Sequence, residues 1–295
     1  VIHHFPCGDG ELSAAIFSKF HDKENIAFLP WIHENKIDNL IKLDELIKDN
    51  KMDVYFLDYC PEYQLVKEIS SKVNKITIID HHEAACQLFQ EEFKKNKILN
   101  TNIIFDNSKS GCQLTWDYFY LDKEYPISVK HIGNRDIWNW EDSETEPFTV
   151  EYPVYFGLNS NMSPEERLLI YQNILECPID KMKRIVKKGE ASIEKMRIEC
   201  QDLLTKASFM IDFDINNKEL KLINIPMKKY HLTKYITELV QKTYSNIDVL
   251  RLQYFKENKI VYSLRSLHNG VRVDLLAQKY GGNGHAAASG YNLNK

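Results

Sequence analysis

The triplet Asp80-His81-His82 follows directly on the β-branched run Lys75-Ile76-Thr77-Ile78-Ile79. A carboxylate and two imidazoles at the end of a buried strand are metal-ligand chemistry. The competing reading of the triplet alone is a surface turn that happens to hold two histidines. Other groups of the same type stand at comparable places: His3 or His4, Cys7, Asp9, Asp58 and Asp136. A catalytic metal needs three or four protein ligands and an open position. This set is large enough for two metals. A metal pair about 3.5–4 Å apart, sharing a carboxylate and an activated water, is a standard device for phosphoryl hydrolysis.

The periodicity says what must position these groups. Short apolar runs over 26–32, 53–59, 75–80 and 102–105 read as strands. Helical periodicity over 11–20, 37–47, 83–95 and 113–120 alternates with them, with Ser110 as an N-cap. Residues 5–10 read as a loop. Strands alternating with amphipathic helices predict a parallel, doubly wound α/β sheet with helices on both faces. Such sheets bind ligands at the carboxyl ends of their strands, where these residues lie. Residues 141–161 are polar and irregular, and 164–175 and 180–206 read as helices. Strands over 209–215, 220–225, 249–255 and 260–266, with helices over 232–243 and 273–280, predict a smaller mixed α/β unit. The expected division is a metal-binding domain over 1–155, a helical connector over 156–206 and a substrate-binding domain over 207–295.

Five motifs in order resemble the DHH phosphoesterase superfamily: His4-Phe5-Pro6-Cys7-Gly8-Asp9-Gly10, Phe56-Leu57-Asp58, Asp80-His81-His82, Asn134-Arg135-Asp136-Ile137-Trp138, and Gly281-Gly282-Asn283-Gly284-His285 continuing to Gly290. The resemblance covers essentially the whole chain. It implies one metal on His4, Cys7 and Asp58, and a second on Asp9, Asp58, His81 and Asp136, with Asp58 shared. It further implies that His82 faces the substrate phosphate while Asp80 orients a neighbouring imidazole. The glycine-rich segment and Arg265 would bind the nucleotide part of the substrate. Two divalent metals are expected, Mn²⁺ first. Many family members have Asp where this chain has Cys7, and a thiolate shifts preference towards Zn²⁺, Fe²⁺ or Co²⁺. His4 fits the cysteine-containing branch, whereas His3 gives the four-residue spacing of other branches. Asn283 replaces a glycine of the last signature, and Asn tolerates the left-handed conformation. Read physically, the glycine run predicts backbone amides converging into an anion-binding nest.

Charge supports this division of labour. Residues 206–295 hold fourteen Lys and Arg against seven Asp and Glu, a net +7, which leaves −11 of the total −4 on residues 1–205. An acidic first part suits cations, and a basic second part suits an anionic ligand. Six scattered cysteines without CxxC pairs predict free thiols in a reducing, cytoplasmic setting. No apolar run reaches membrane-spanning length. The chain opens at Val1, already inside a strand, so residues preceding it are expected. His21 and His33 read as surface residues, and His131 as a core or supporting histidine. Trp116, Trp138 and Trp140 read as packing residues, with Trp138 also placed to shape the site. Cys60, Cys86 and Cys112 read as small buried groups. The run 181–188, rich in Lys and Arg, reads as a solvated helix face.

The leading expectation is a two-metal phosphohydrolase acting on nucleotides or short oligonucleotides. Its candidate substrates are nanoRNA, linear or cyclic dinucleotides and 3′-phosphoadenosine-5′-phosphate. The alternatives are a pyrophosphatase or exopolyphosphatase, and a non-catalytic nucleotide-binding protein should Cys7 weaken one metal site. Long-strand processing is not expected, because no wide basic track with stacking aromatics is present. No membrane partner is expected, and a homodimer is left open.

Overall fold

A computed structural model describes residues 1–21, 25–32, 35–47, 52–151, 162–256, 258–268 and 270–294. The chain divides into two compact units, Val1–Glu190 and Ala191–Lys295. The expected boundary near 155 lies outside the described residues, as does His33. The division falls inside one long helix (Ile179–Leu204), so the expected connector over 156–206 is shared between the units.

In the first unit, β1 (Ile2–His4), β2 (Leu29–Trp31), β3 (Asp53–Leu57), β4 (Lys75–Asp80) and β5 (Thr101–Phe105) form one parallel sheet in the order β2-β1-β3-β4-β5. The chain leaves β1 to one side for β2 and returns to the other side for β3. The sheet order therefore reverses between β1 and β3, and parallel α/β sheets bind ligands at such a switch point. Helices α1 (Gly8–Phe20), α2 (Lys36–Leu46), α3 (Tyr63–Ser70) and α4 (Glu83–Lys95) make the crossovers, and α5 (Gly111–Tyr120) follows the last strand. Strand alternation feeds two cores. Phe56, Ile76 and Ile78 pack with Leu43, Val66 and Phe89 on one face. Leu57 and Ile79 pack with Phe17 and Leu114 on the other.

Helix α1 begins at Gly8, three residues before the expected start. Asp9 is therefore in a helical first turn, not a loop. Ser110 caps α5 in a reciprocal capping box with Gln113. Beyond α5 come α6 (Ile127–Asp136), α7 (Thr145–Glu151), α8 (Pro164–Leu175) and the long α9 (Ile179–Leu204). Helix α7 lies in the stretch over 141–161 whose polar composition and proline predict irregular chain. Pro147 is the third residue of that helix, where its missing N–H costs no intrahelical bond. Helix α8 is pinned to α1 by a buried bidentate ion pair between Arg167 and Glu11. The charged residues at 181, 183, 184, 187 and 188 are exposed, while Met182 and Val186 turn inward.

In the second unit, β6 (Ser208–Phe213), β7 (Glu219–Met227), β8 (Val249–Phe255), β9 (Lys259–Ser266), β10 (Asn283–His285) and β11 (Ala288–Asn294) form a mixed sheet in the order β10-β11-β9-β8-β7-β6. Only β7 and β8 run parallel among its pairs. Helices α10 (Thr233–Thr243) and α11 (Val273–Lys279) accompany it. The glycine-rich segment, expected as a loop, is a hairpin of β10 and β11. No helix among the described residues is long and apolar enough to cross a membrane.

Candidate metal centre

The ends of β1, β3 and β4 deliver His4, Asp58 and Asp80-His81-His82 to one place. Two further groups come from helix ends: Cys7 and Asp9 from the start of α1, and Asp136 from the last turn of α6. The close approach is built from glycines. A Cβ at Gly10 would lie 2.4 Å from the His4 carbonyl oxygen, and one at Gly111 would lie 2.6 Å from Asp58 Cβ. Asp58 itself adopts the left-handed conformation, φ +53°. That backbone is uncommon outside glycine, and such strain clusters where function fixes a side chain.

Asp58 stands between two imidazoles. Its Oδ2 lies 3.3 Å from His4 Nδ1, and its Oδ1 lies 3.2 Å from His81 Nε2. His81 Nε2 also lies 3.2 Å from Asp136 Oδ2 and 3.7 Å from Asp9 Oδ2. Despite these distances, Asp58 Oδ1 and His81 Nε2 are buried without a well-angled hydrogen bond. One ring nitrogen cannot satisfy three carboxylates, and buried polar atoms normally find partners. Atoms that converge on a point, rather than on each other, are what a cation site presents. Ligand atoms of His4, Cys7 and Asp58 lie within 4.8 Å of one another, as do those of Asp9, His81 and Asp136. A third set, Asp58, Asp80, His81 and His82, overlaps both.

The electrostatics agree. Burial, then the charges of Asp58 and Asp136, push the Asp9 carboxyl well up. Burial would raise Asp58 too, but His4, His81 and the charge of His82 hold it below the ordinary carboxylate range. Burial opposes charge on His81, yet Asp136, Asp58 and Asp9 push its pKa up to about 11. Without a cation, the protonated His81 is thus the local counter-charge. Burial and the charges of Asp58, Asp9 and Asp136 keep the Cys7 thiol protonated. Divalent cations would reverse both effects. The residues present therefore fit two cations, with Cys7 the soft donor of the first set.

Around this set lie groups that position it. The first two amides of α5 hold Asp9: Gly111 N–H donates to Oδ2 at 2.6 Å and Cys112 N–H to Oδ1 at 3.0 Å. Sequence reading placed the start of α5 but missed this role, since the contact spans about a hundred residues. Asp80 Oδ1 accepts from the His81 amide at 2.8 Å and lies 2.7 Å from His82 Nδ1. Asp80 is the main reason the His82 pKa rises to about 8. Cys86 Sγ lies 3.4 Å from the other Asp80 oxygen, a contact that sequence reading also missed. Cys60 and Cys86 are buried, as is Cys112, and all six cysteines are free thiols.

Of the two adjacent histidines, His4 meets Asp58, whereas His3 is buried with Nδ1 3.2 Å from the His4 carbonyl oxygen. His131 is buried with Nδ1 3.0 Å from Thr145 Oγ1. His21, read as a surface residue, instead stacks on Phe17 at 4.3 Å beside Phe119. Trp116 packs in the core, but Trp138 does not, being 78% exposed.

In the second unit the register β8-β9-β11-β10 aligns Leu250, Arg265, Ala288 and His285, and beside them Leu252, Ser263, Gly290 and Asn283. Directly paired residues share a face, so Arg265, Ser263, Asn283 and His285 lie on one face of that sheet. Arg265 Nη1 donates to Ser263 Oγ at 2.9 Å. The glycine run does not form the expected nest. The amides of Gly281 and Gly282 donate to Gln278 O and Ala277 O, closing α11. The positive φ values fall at Gly281 and Gly284, whereas Asn283 has none. Gly282 instead permits close approach to β11, since a Cβ there would lie 2.1 Å from Gly290 O.

No family model matches the chain. A protein of Acanthamoeba polyphaga mimivirus, Uncharacterized protein R106, is 28% identical over 98% of this chain. The chain spans 66% of that relative's length. Among solved structures, the pGpG-specific phosphodiesterase PggH of Vibrio cholerae superposes with a TM-score of 0.54 over 99% of this chain and 92% of its own, at 13% identity. The chain therefore shares the fold of that phosphodiesterase. An exopolyphosphatase-related protein of Bacteroides fragilis aligns over 98% of this chain and 85% of its own, with a TM-score of 0.38 and 19% identity. A DHH domain from a protein assigned to a family of ribosomal proteins aligns over 99% and 82%, with a TM-score of 0.44 and 11% identity. In this fold, the five motifs that resemble the DHH pattern fall at the ends of β1, β3, β4, α6 and α11.

Proposed function

We propose that the chain is a two-metal phosphoesterase that hydrolyses nucleotides or short oligonucleotides. The observation that carries this is the convergence of His4, Cys7, Asp9, Asp58, His81 and Asp136, with Asp58 facing an imidazole on each oxygen. His4, Cys7 and Asp58 would hold one divalent cation, and Asp9, Asp58, His81 and Asp136 the other. When bound, these ions neutralise phosphoryl charge and acidify water.

The chain's own residues do the rest. Asp58 ties the two ligand sets together. The α5 amides fix the Asp9 carboxylate. Asp80 engages His82 Nδ1, which leaves Nε2 to donate to a phosphoryl oxygen as negative charge develops. The hydrogen bond to Asp80, which pushes the His82 pKa up to about 8 in the metal-free chain, favours the protonated ring. Helices α1, α4 and α5 all begin beside the site, and helix N-termini favour phosphate. In the second unit, Arg265, Gly281, Gly282, Asn283, Gly284 and His285 are the candidate nucleotide contacts, with His285 and Arg265 offering side chains and the glycines a backbone free of Cβ atoms. Support comes from the shared face of Arg265 and His285 and from the net +7 of residues 206–295. Mn²⁺ is the cation we favour, with Co²⁺, Zn²⁺ or Fe²⁺ admitted by Cys7. The six free thiols support a cytoplasmic setting.

A metal-by-substrate screen tests this reading. Linear dinucleotides, short oligoribonucleotides, 3′-phosphoadenosine-5′-phosphate and inorganic pyrophosphate are each offered with Mn²⁺, Co²⁺, Zn²⁺ or Fe²⁺. The expected result is release of mononucleotide or phosphate from a nucleotide substrate. Asp58→Ala should abolish turnover, and His82→Ala should lower kcat about 10²- to 10³-fold. Turnover of none of these substrates, or turnover of pyrophosphate alone, would overturn the reading.

A further inference from the structure

Helix α6 ends at Asp136, one of the convergent carboxylates, and the chain reverses within the next three residues. Two backbone bonds close the turn: Trp138 N–H to Arg135 O at 3.1 Å and Asn139 N–H to Asn134 O at 2.7 Å. This pattern ends a helix with one left-handed residue, normally Gly and sometimes Asn. Here that residue is Trp138, with φ +58°. A Cβ is disfavoured in this conformation, and for a bulky residue it is an outlier. The indole gains no burial in exchange, being 78% exposed.

The ring is nevertheless braced. Trp138 meets Trp140 edge-on at 6.1 Å and 78°. The Arg135 guanidinium lies 5.7 Å from the Trp140 ring centroid, and Arg135 Nη1 donates to Thr149 Oγ1 at 3.1 Å. A large aromatic face is thus held out to solvent by a backbone that would accept glycine more readily. It stands two residues from a metal-ligand candidate, within about 7 Å along the chain.

We propose that Trp138 is a nucleobase platform: it stacks on the base of the nucleotide whose phosphate meets the cluster of Asp58, His81 and His82. This rests on the nucleotide-phosphoesterase reading and sharpens it. Stacking uses the π-face that every base has, so it favours nucleotides over inorganic phosphates without selecting one base. Trp138 is in these terms a specificity residue.

The test measures calorimetric affinity of the full chain, loaded with Mn²⁺, for adenosine 5′-monophosphate and for ribose 5-phosphate. Wild type, Trp138→Ala and Trp138→Gly are compared. Wild type should bind the nucleotide more tightly than the sugar phosphate. Trp138→Ala should weaken the nucleotide roughly ten-fold or more, as expected for one stacked base, and leave ribose 5-phosphate unchanged. Trp138→Gly should lose the same base-dependent affinity yet melt no lower than wild type, which separates lost stacking from a damaged fold. Equal loss for both ligands, no loss for either, or no base preference in wild type would overturn the platform. Base-dependent binding through Trp138 without hydrolysis of any ester would sink the catalytic reading and leave the platform standing. Hydrolysis with unaltered nucleotide affinity in Trp138→Ala would do the reverse.

Discussion

His3 and His4 are chain neighbours with opposite surroundings. Alternation along a strand sends adjacent rings to opposite faces. One ring therefore reaches Asp58, while the other is sealed in the interior. Sequence alone left both open, because the direction of a strand face is set by what packs on it. The buried ring has a measurable consequence. Desolvation lowers the His3 pKa from 6.5 to about 4. The unfolded chain therefore takes up a proton below about pH 6.5 that the folded chain refuses until about pH 4. Stability is full above pH 6.5 and is lost as the pH falls through that window, by up to roughly 3 kcal/mol. Denaturant melts of the metal-free protein in chelator should show this slope between pH 6.5 and 4. His3→Phe should flatten it, and an unchanged slope in that variant would contradict the assignment. The contacts of Cys86 with Asp80 and of the α5 amides with Asp9 were invisible at this scale. Each joins residues whose types are ordinary and whose pairing depends on tertiary placement.

At the scale of elements, the strands were legible because their ends are marked chemically: His4 ends β1, Asp58 follows β3, and Asp80 ends β4. Helix starts were less so. Gly8, Asp9 and Gly10 read as a loop by propensity, yet they form the first turn of α1 because Gly10 must pack on His4. Pro147 hid α7, and the glycine run hid the β10–β11 hairpin, whose glycines serve close packing and the closing of α11. The junction of β5 and α5 is the element the site depends on most. Gly111→Ala would place a Cβ 2.7 Å from Asp58 Oδ1, and Asp58 is buried. Overpacking of this kind costs about 1–3 kcal/mol. The variant should melt lower by that amount and bind Mn²⁺ at least ten-fold more weakly. Wild-type affinity in a destabilised Gly111→Ala protein would show that Asp58 is not held by this contact.

For the molecule as a whole, alternation of strand and helix was enough to foresee the parallel sheet, and the order β2-β1-β3-β4-β5 adds the switch point at which the ligands gather. Charge also divides along the chain, net −11 over 1–205 and +7 over 206–295. Cations thereby suit the part with the carboxylates, and anions the part with Arg265 and His285. Cys7 was the residue at which the family pattern and this chain diverged. The structure brings its Sγ within 4.8 Å of the donor atoms of His4 and Asp58. The central claim is that these side chains form a two-cation centre, and metal stoichiometry at equilibrium tests it most directly. Wild type should take up two Mn²⁺ per chain, Cys7→Ala should retain one tightly bound ion, and Asp58→Ala should retain none tightly. A wild-type chain that folds normally and takes up one ion or none would contradict the claim.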